Sequence, residues 1–183
     1  MRPILGIFAV LGTWPNWEDY FDLSRKGLKT SFAALTLSLV PLWVVVYGLQ
    51  SARAKMLDQD LALPDIVPFV LIVGLWLFSF PALAYLISMV LEKMDRLRAW
   101  TITRNWTVFG LSCLAGGMFG MVALGVMPLM LANGVLFAAY LGLLAADIRL
   151  AQKVAGFGWG TSALIGCVIV AVGMTFVQLA ISR

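Results

Sequence analysis

Four stretches of this chain contain no charged residue: 23 positions separate Lys29 from Arg53, 26 separate Asp65 from Glu92, 42 separate Arg104 from Asp147, and 29 separate Lys153 from Arg183. A helix needs about 20 apolar residues, rising about 1.5 Å each, to cross the hydrocarbon of a bilayer. The first, second and fourth runs each suit one crossing. The third suits two, joined by a tight turn at Gly125-Val126-Met127-Pro128, where Pro128 fits the first turn of the next helix. The expected spans are therefore 30–50, 66–91, 107–126, 129–147 and 161–181. Backbone in lipid must satisfy its own hydrogen bonds, and these runs lack the alternation of a β-barrel strand. The fold class that follows is all-α, a polytopic transmembrane bundle of about five spans.

Composition excludes the alternatives. Of the 183 residues 62% are hydrophobic and 12% charged, with a mean hydropathy of +0.96. Soluble domains carry roughly 25% charged residues, and a soluble fold this apolar would expose aggregating patches. The chain has no histidine, which removes Ser-His-Asp and Cys-His nucleophile systems and His-ligated zinc or haem. No catalytic, metal or cofactor site is expected. The net charge of +4 is dispersed in short clusters between apolar runs, a topology signal and not a nucleic-acid groove.

Those clusters set the orientation. With the N-terminus inside, ten of the 13 basic residues are cytoplasmic: Arg2, Arg25, Lys26, Lys29, Lys93, Arg96, Arg98, Arg104, Arg149 and Lys153. Arg53, Lys55 and Arg183 remain outside. The positive-inside rule then predicts N-in, C-out. Residues 4–12 are apolar behind Arg2, but Pro3 interrupts the start and Trp14-Pro15 stands where a cleavage site would fall, so a cleaved signal is not expected.

Residues 1–27 form the expected cytoplasmic segment and 28–183 the transmembrane domain. Trp14, Trp17, Tyr20 and Phe21, beside Glu18, Asp19 and Asp22, predict a short interfacial helix from about Pro15. The segment 92–106 is the most charged in the chain and reads as a cytoplasmic loop. Glu92 with Arg96, and Asp95 with Arg98, are spaced to pair on a helical face. Its basic excess would suit anionic lipid headgroups.

Within the spans, small residues recur every four positions: Ser112, Gly116 and Gly120; Gly134, Ala138, Gly142 and Ala146; Ala163, Cys167 and Ala171. Each set shares a helical face that admits a close neighbour, so these faces are expected to be the seams between the last three helices, or contacts with another copy or a partner membrane protein. Pro41 and Pro81 fall inside the first two spans and predict kinks. Glu92, Asp147 and Arg149 are the candidate functional charges; Glu92 and Asp147 are expected at cytoplasmic helix ends, and a longer fourth helix would partly bury Asp147 and Arg149. Cys113 and Cys167 sit at similar depth and read as small packing residues.

Five spans, a cytoplasmic N-terminal segment and an outward C-terminus resemble the Yip family of five-span membrane-trafficking proteins and their bacterial relatives, over roughly residues 24–183. Where eukaryotic members carry Asp-Leu-Tyr-Gly-Pro, this chain has Asp22-Leu23 followed by Ser24-Arg25-Lys26, so the resemblance brings no functional residue with it. The stretch FDLSRKGLKTSFAALTLSL also resembles the start of small bacterial inner-membrane proteins, which implies the cell inner membrane. With no reactive groups in view, the expected role is a non-enzymatic scaffold, assembly factor or accessory subunit. A small permease or channel component is the alternative.

Overall fold

The computed structural model describes the backbone of residues 2–12, 14, 16–63 and 65–181, and side chains from Pro3 as far as Phe176. Pro15, Arg183 and the side chain of Gln178 lie outside the described residues. The described chain is helical with no strand: α1 (Arg2–Leu11), a 3-10 turn (Trp17–Tyr20), α2 (Arg25–Leu37), α3 (Leu39–Leu57), α4 (Ile66–Val90), α5 (Met94–Ala123), α6 (Leu129–Lys153) and α7 (Trp159–Ile181). Five helical stretches are long and apolar enough to cross a membrane: Arg25–Leu57, Ile66–Val90, Met94–Ala123, Leu129–Lys153 and Trp159–Phe176.

The first stretch is two helices because of Pro41. A proline has no N–H to give the carbonyl four residues back, and its ring crowds that carbonyl. The carbonyl belongs to Leu37, the last residue of α2; the helix breaks at Ser38 and resumes at Leu39. Ser38 Oγ donates to Ala34 O at 3.2 Å, which satisfies the buried hydroxyl at the bend. Pro81, also expected to kink its span, lies inside α4, which runs as one helix from Ile66 to Val90. At the start of α2, Ser24 Oγ accepts from Lys26 N at 3.1 Å and Gly27 N at 3.3 Å, an ordinary N-cap. Asp22 Oδ1 accepts from Ser24 N at 3.0 Å, and these contacts with Ser24 hold the Asp22 carboxyl below the usual carboxylate range.

Helix α5 departs most from expectation. Its 30 residues begin at Met94, not near 107. The segment expected to be a loop is thus mostly helix, and Trp100, Thr101, Ile102, Thr103, Arg104 and Asn105 within it are buried. Glu92 stays in the preceding exposed turn at φ 55°, off the helix, so it does not pair with Arg96. Arg96 instead meets Asp95 at 3.3 Å on the exposed surface. The ion pairs found among the described residues do not include Asp95 with Arg98.

Helix α5 is the axis of the molecule. Helices α2 and α3 pack along one side of it, while α4, α5, α6 and α7 close a ring in which each touches the next. Helix α1 lies against α5, where Ile7 approaches Gly110 near the middle of that helix, against α6, and over the 3-10 turn. The short N-terminal helix is therefore Arg2–Leu11, not a helix starting near Pro15, where only a four-residue turn follows. Trp17 and Phe21, expected as interfacial anchors, are 5% and 7% exposed; they pack into a core with Ala9, Val10, Leu150 and Val154, which takes their rings from the interface.

The small-residue faces are distributed differently from the expected three-helix seam. Gly116 and Gly120 face α3: a Cβ on Gly116 would lie 2.7–2.9 Å from Pro41, and one on Gly120 would lie 3.5 Å from Val44; Ser112 lines a cavity with Leu42 of α3 and Leu136, Tyr140 and Leu143 of α6. Gly48 answers from α3, set so close to the Phe119 carbonyl that no side chain fits. On α6, Gly134, Ala138 and Gly142 are exposed and only Ala146 is buried. On α7, Ala163 is half-buried, while Cys167 and Ala171 point outward. The buried face of α7 runs instead through Ser162, Ile165, Gly166 and Ile169, with Gly166 against Ile148 and Gly173 against Trp76. Cys113 and Cys167 are both exposed free thiols and are not part of the packed interior.

Candidate functional site

The long reach of α5 carries Arg104 into the centre of the four-helix ring. There it meets Asp147 of α6, which is buried beside Ala146. Arg104 Nε donates to Asp147 Oδ1 at 2.8 Å and Nη2 donates to Oδ2 at 3.3 Å, a two-pronged pair with the residues 4% and 0% exposed. The guanidinium carbon lies 4.0 Å from the centroid of the Phe80 ring, so the cation is held by a carboxylate and an aromatic face together. Two charges so far from water are tolerable because each neutralises the other. Leaving either alone costs about 3–5 kcal/mol in comparable buried pairs.

Beside the pair stands an aromatic seal. Phe80 and Trp100 meet edge to face with centroids 5.3 Å apart, and Trp100 meets Phe157, from the turn after α6, at 5.6 Å. Trp100 and Arg104 are four residues apart on α5, hence on one face, so α5 supplies one member of the seal and the cation next to it. The chain can enter α7 close beside the seal because Gly156 takes φ +74°, in the left-handed region open to glycine.

Away from the seal, the ring opens. A space of about 10 Å³ adjoins Arg104, Asp147, Trp76, Tyr140 and Gly173, enough for about one water molecule. Trp76, Tyr140 and Leu143 also line a larger cavity of about 70 Å³, partly open to the outside of the bundle, whose walls include Leu42, Val108 and Leu136. The two spaces share those three residues, which stand between the apolar cavity and the small space at the ion pair. Ser112 lines the larger space.

Other buried polar groups gather near the same level. Asn105 Nδ2 donates to Ser31 Oγ at 3.2 Å, tying α5 to α2. Thr103 and Thr107 return their hydroxyls to the carbonyls of their own helix at 2.9 Å. Ser88 Oγ, Trp100 Nε1, Asn105 Oδ1 and Arg149 Nε are buried without a partner among the described residues. Arg149 belongs to a separate arrangement: its Nη2 donates to Gly12 O at 3.4 Å and its Nη1 to Gln152 at 3.1 Å. Lys153 Nζ donates to the carbonyls of Ala9, Gly12 and Trp14 at 3.0, 3.1 and 2.9 Å. Two cations thus cap the C-terminal end of α1, where helix carbonyls lack partners.

Of the three charges singled out in the sequence, Asp147 is at the centre, Arg149 fastens α1, and Glu92 is remote in an exposed turn. The expectation that Asp147 marks a helix boundary gives way, because α6 continues to Lys153 and surrounds it with protein. Sequence reasoning missed Arg104 by assigning it to a loop. A signal was present: Trp100, Arg104, Val108, Ser112, Ala115, Phe119 and Val122 recur at helical spacing straight through the supposed boundary. Comparison with protein-family models, curated proteins and solved structures finds no match to this chain.

Proposed function

We propose that this chain is a non-enzymatic integral membrane protein of the cell inner membrane, crossing five times with the N-terminus inside. Of the two roles the sequence leaves open, we favour the small permease. The apolar length of five helical stretches supports insertion, and the division of basic residues, nine to three once the buried Arg104 is left out, supports the orientation. Residues 1–27 then cover the inner ends of the bundle, with Ile4, Leu5, Phe8 and Leu11 exposed toward headgroups.

The observation that carries the permease reading is the Arg104–Asp147 pair buried within the ring, beside a small space whose walls Trp76, Tyr140 and Leu143 also line an apolar cavity. Ionisable residues within a membrane bundle characteristically mark a solute or proton path. Here the aromatic rings of Phe80, Trp100 and Phe157 lie on one side of the pair, and the apolar cavity lies beyond Trp76, Tyr140 and Leu143 on the other.

Cysteine accessibility tests the path. In a Cys113→Ala/Cys167→Ala background, Ala139→Cys on the cavity wall should react with a membrane-impermeant maleimide, and Ala84→Cys, buried among the seal residues, should not. If Ala139→Cys stays unreactive from both sides of the membrane while the protein is folded, the permease reading is lost. The scaffold reading keeps separate support from the exposed face of Gly134, Ala138 and Gly142, which a neighbouring transmembrane helix could approach closely. Cross-linking in native membranes through cysteines at those positions should then trap one defined partner.

A further inference from the structure

We propose that α1 is a re-entrant helix: it enters the inner leaflet beside α5 and α6, and lipid acyl chains cover its exposed face of Ile4, Leu5, Phe8 and Leu11. The proposal rests on the five-span reading with Lys153 toward the inner face, and it carries this face of α1 past the headgroups into hydrocarbon.

From Pro3 to Leu11 every residue of α1 is apolar. A helix that lies in the headgroup layer sets a charged or polar face against its apolar one, and α1 has no such face to offer water. Gly6, Ala9 and Val10 are buried against the rest of the chain. Ile4, Leu5, Phe8 and Leu11 remain 37–65% exposed, with nothing among the described residues to cover them. A helix that is apolar all round belongs in a protein interior or in lipid.

The placement of α1 along the bundle agrees. Ile7 Cδ1 comes to 3.1 Å from where a Cβ on Gly110 would stand. Gly110 lies twelve positions along α5 from the exposed Arg98. At the rise of an α-helix that is about 18 Å, near the middle of a hydrocarbon layer about 30 Å thick. The other end of α1 is shallower. Gly12 O accepts from Arg149 and Lys153, while Ala9 O and Trp14 O accept from Lys153. These two cations follow Asp147 on α6, which returns antiparallel to α5 after the tight turn, and Asp147 pairs with Arg104, six positions nearer the inner face than Gly110. Helix α1 therefore slants into the leaflet with its N-terminal end the deeper.

Its polar ends are treated as that position requires. The last carbonyls of a helix lack partners, and each such group is costly away from water; Lys153 donates to three of the carbonyls at this end. At the deep end Pro3 has no N–H to leave unpaired. The charge of Arg2 opposes the placement, and local thinning of the bilayer with water drawn toward a cation lowers that cost.

Nitroxide labels read the depth directly. The full-length protein carrying Cys113→Ala/Cys167→Ala would receive one cysteine at a time: Phe8→Cys, Leu5→Cys, Leu141→Cys on the exposed face midway along α6, or Arg96→Cys on the exposed surface near the start of α5. After labelling and reconstitution into vesicles of phosphatidylcholine and phosphatidylglycerol, collisions with oxygen and with a water-soluble nickel chelate on both faces are compared. Leu141 reports the span and Arg96 the water. Labels at Phe8 and Leu5 should meet oxygen as freely as the label at Leu141, and the nickel chelate severalfold less than the label at Arg96. Nickel access at Phe8 and Leu5 equal to that at Arg96, with Leu141 shielded, overturns the proposal and leaves the five spans standing. Shielding of both positions from oxygen and nickel alike shows that protein, such as a second copy, covers the face, and overturns it equally. Nickel access at Leu141 removes the five-span reading, and the proposal with it.

Discussion

The two ends of the four-helix ring are built on opposite plans. Around Arg104 and Asp147, every neighbouring element is tied in: Phe80 from α4, Trp100 from α5, Phe157 from the turn, and α2 through Asn105 and Ser31. Toward the turn at Gly125, the ring loosens into a cavity, and the face of α6 carrying Gly134, Ala138 and Gly142 has no protein against it. The difference shows where specificity resides. Apolar surface is content with any apolar neighbour, lipid included, whereas a buried charge or amide tolerates only its own partner. The polar end therefore dictates its partners, whereas at the apolar end only the close approach of α3 to α5 at Gly48 and Phe119 does so.

Substitutions at the two ends should separate this contrast sharply. Arg104→Gln strands the Asp147 carboxylate and should lower stability by about 3–5 kcal/mol, read as a fall in the unfolding midpoint in detergent; the double variant Arg104→Gln/Asp147→Asn should recover most of it. If the single and double variants unfold alike, the inner end is not organised by this pair. Among glycines the sign itself should differ. Gly48→Ala pushes a methyl into the Phe119 carbonyl and should cost about 1–3 kcal/mol, whereas Gly142→Ala meets nothing within 4 Å and should stabilise its helix by about 0.5–1 kcal/mol. Equal effects at the two positions would show that α3 does not touch α5 so closely. The smallest effect lies outside the ring. Ser24→Ala should cost about 1 kcal/mol through the lost cap of α2. Acid should reach the same turn by another route: the folded state holds the Asp22 carboxyl low, so its contribution is complete above the ordinary carboxylate value and disappears as pH falls through the lowered one. Amide exchange at Ser24 should quicken over that acidic range and not at neutral pH.

What was legible in the sequence follows the same division. The five long apolar stretches and the turn at Gly125–Pro128 could be read because lipid selects for runs, and runs are visible in one dimension. The break before Pro41 was legible because proline acts on its own backbone. The partners of α5 were not. Positive-inside counting treats Arg104 as one more cytoplasmic cation, since the rule weighs charge near a span and says nothing of a carboxylate 43 positions away. The small-residue stripes failed for a related reason. Spacing of four identifies a shared face but not its direction, and Gly134 and Gly116 look alike until α3 is seen against one and nothing against the other.

The lysine at the end of α6 has a consequence for biosynthesis. Lys153 holds three carbonyls of the N-terminal segment, from 139 to 144 positions earlier. Helix α1 is thus bridged to the end of α6 across most of the bundle. These carbonyl contacts can form only once α6 has been made, so they add a late tie to a helix that the 3-10 turn and α5 already hold.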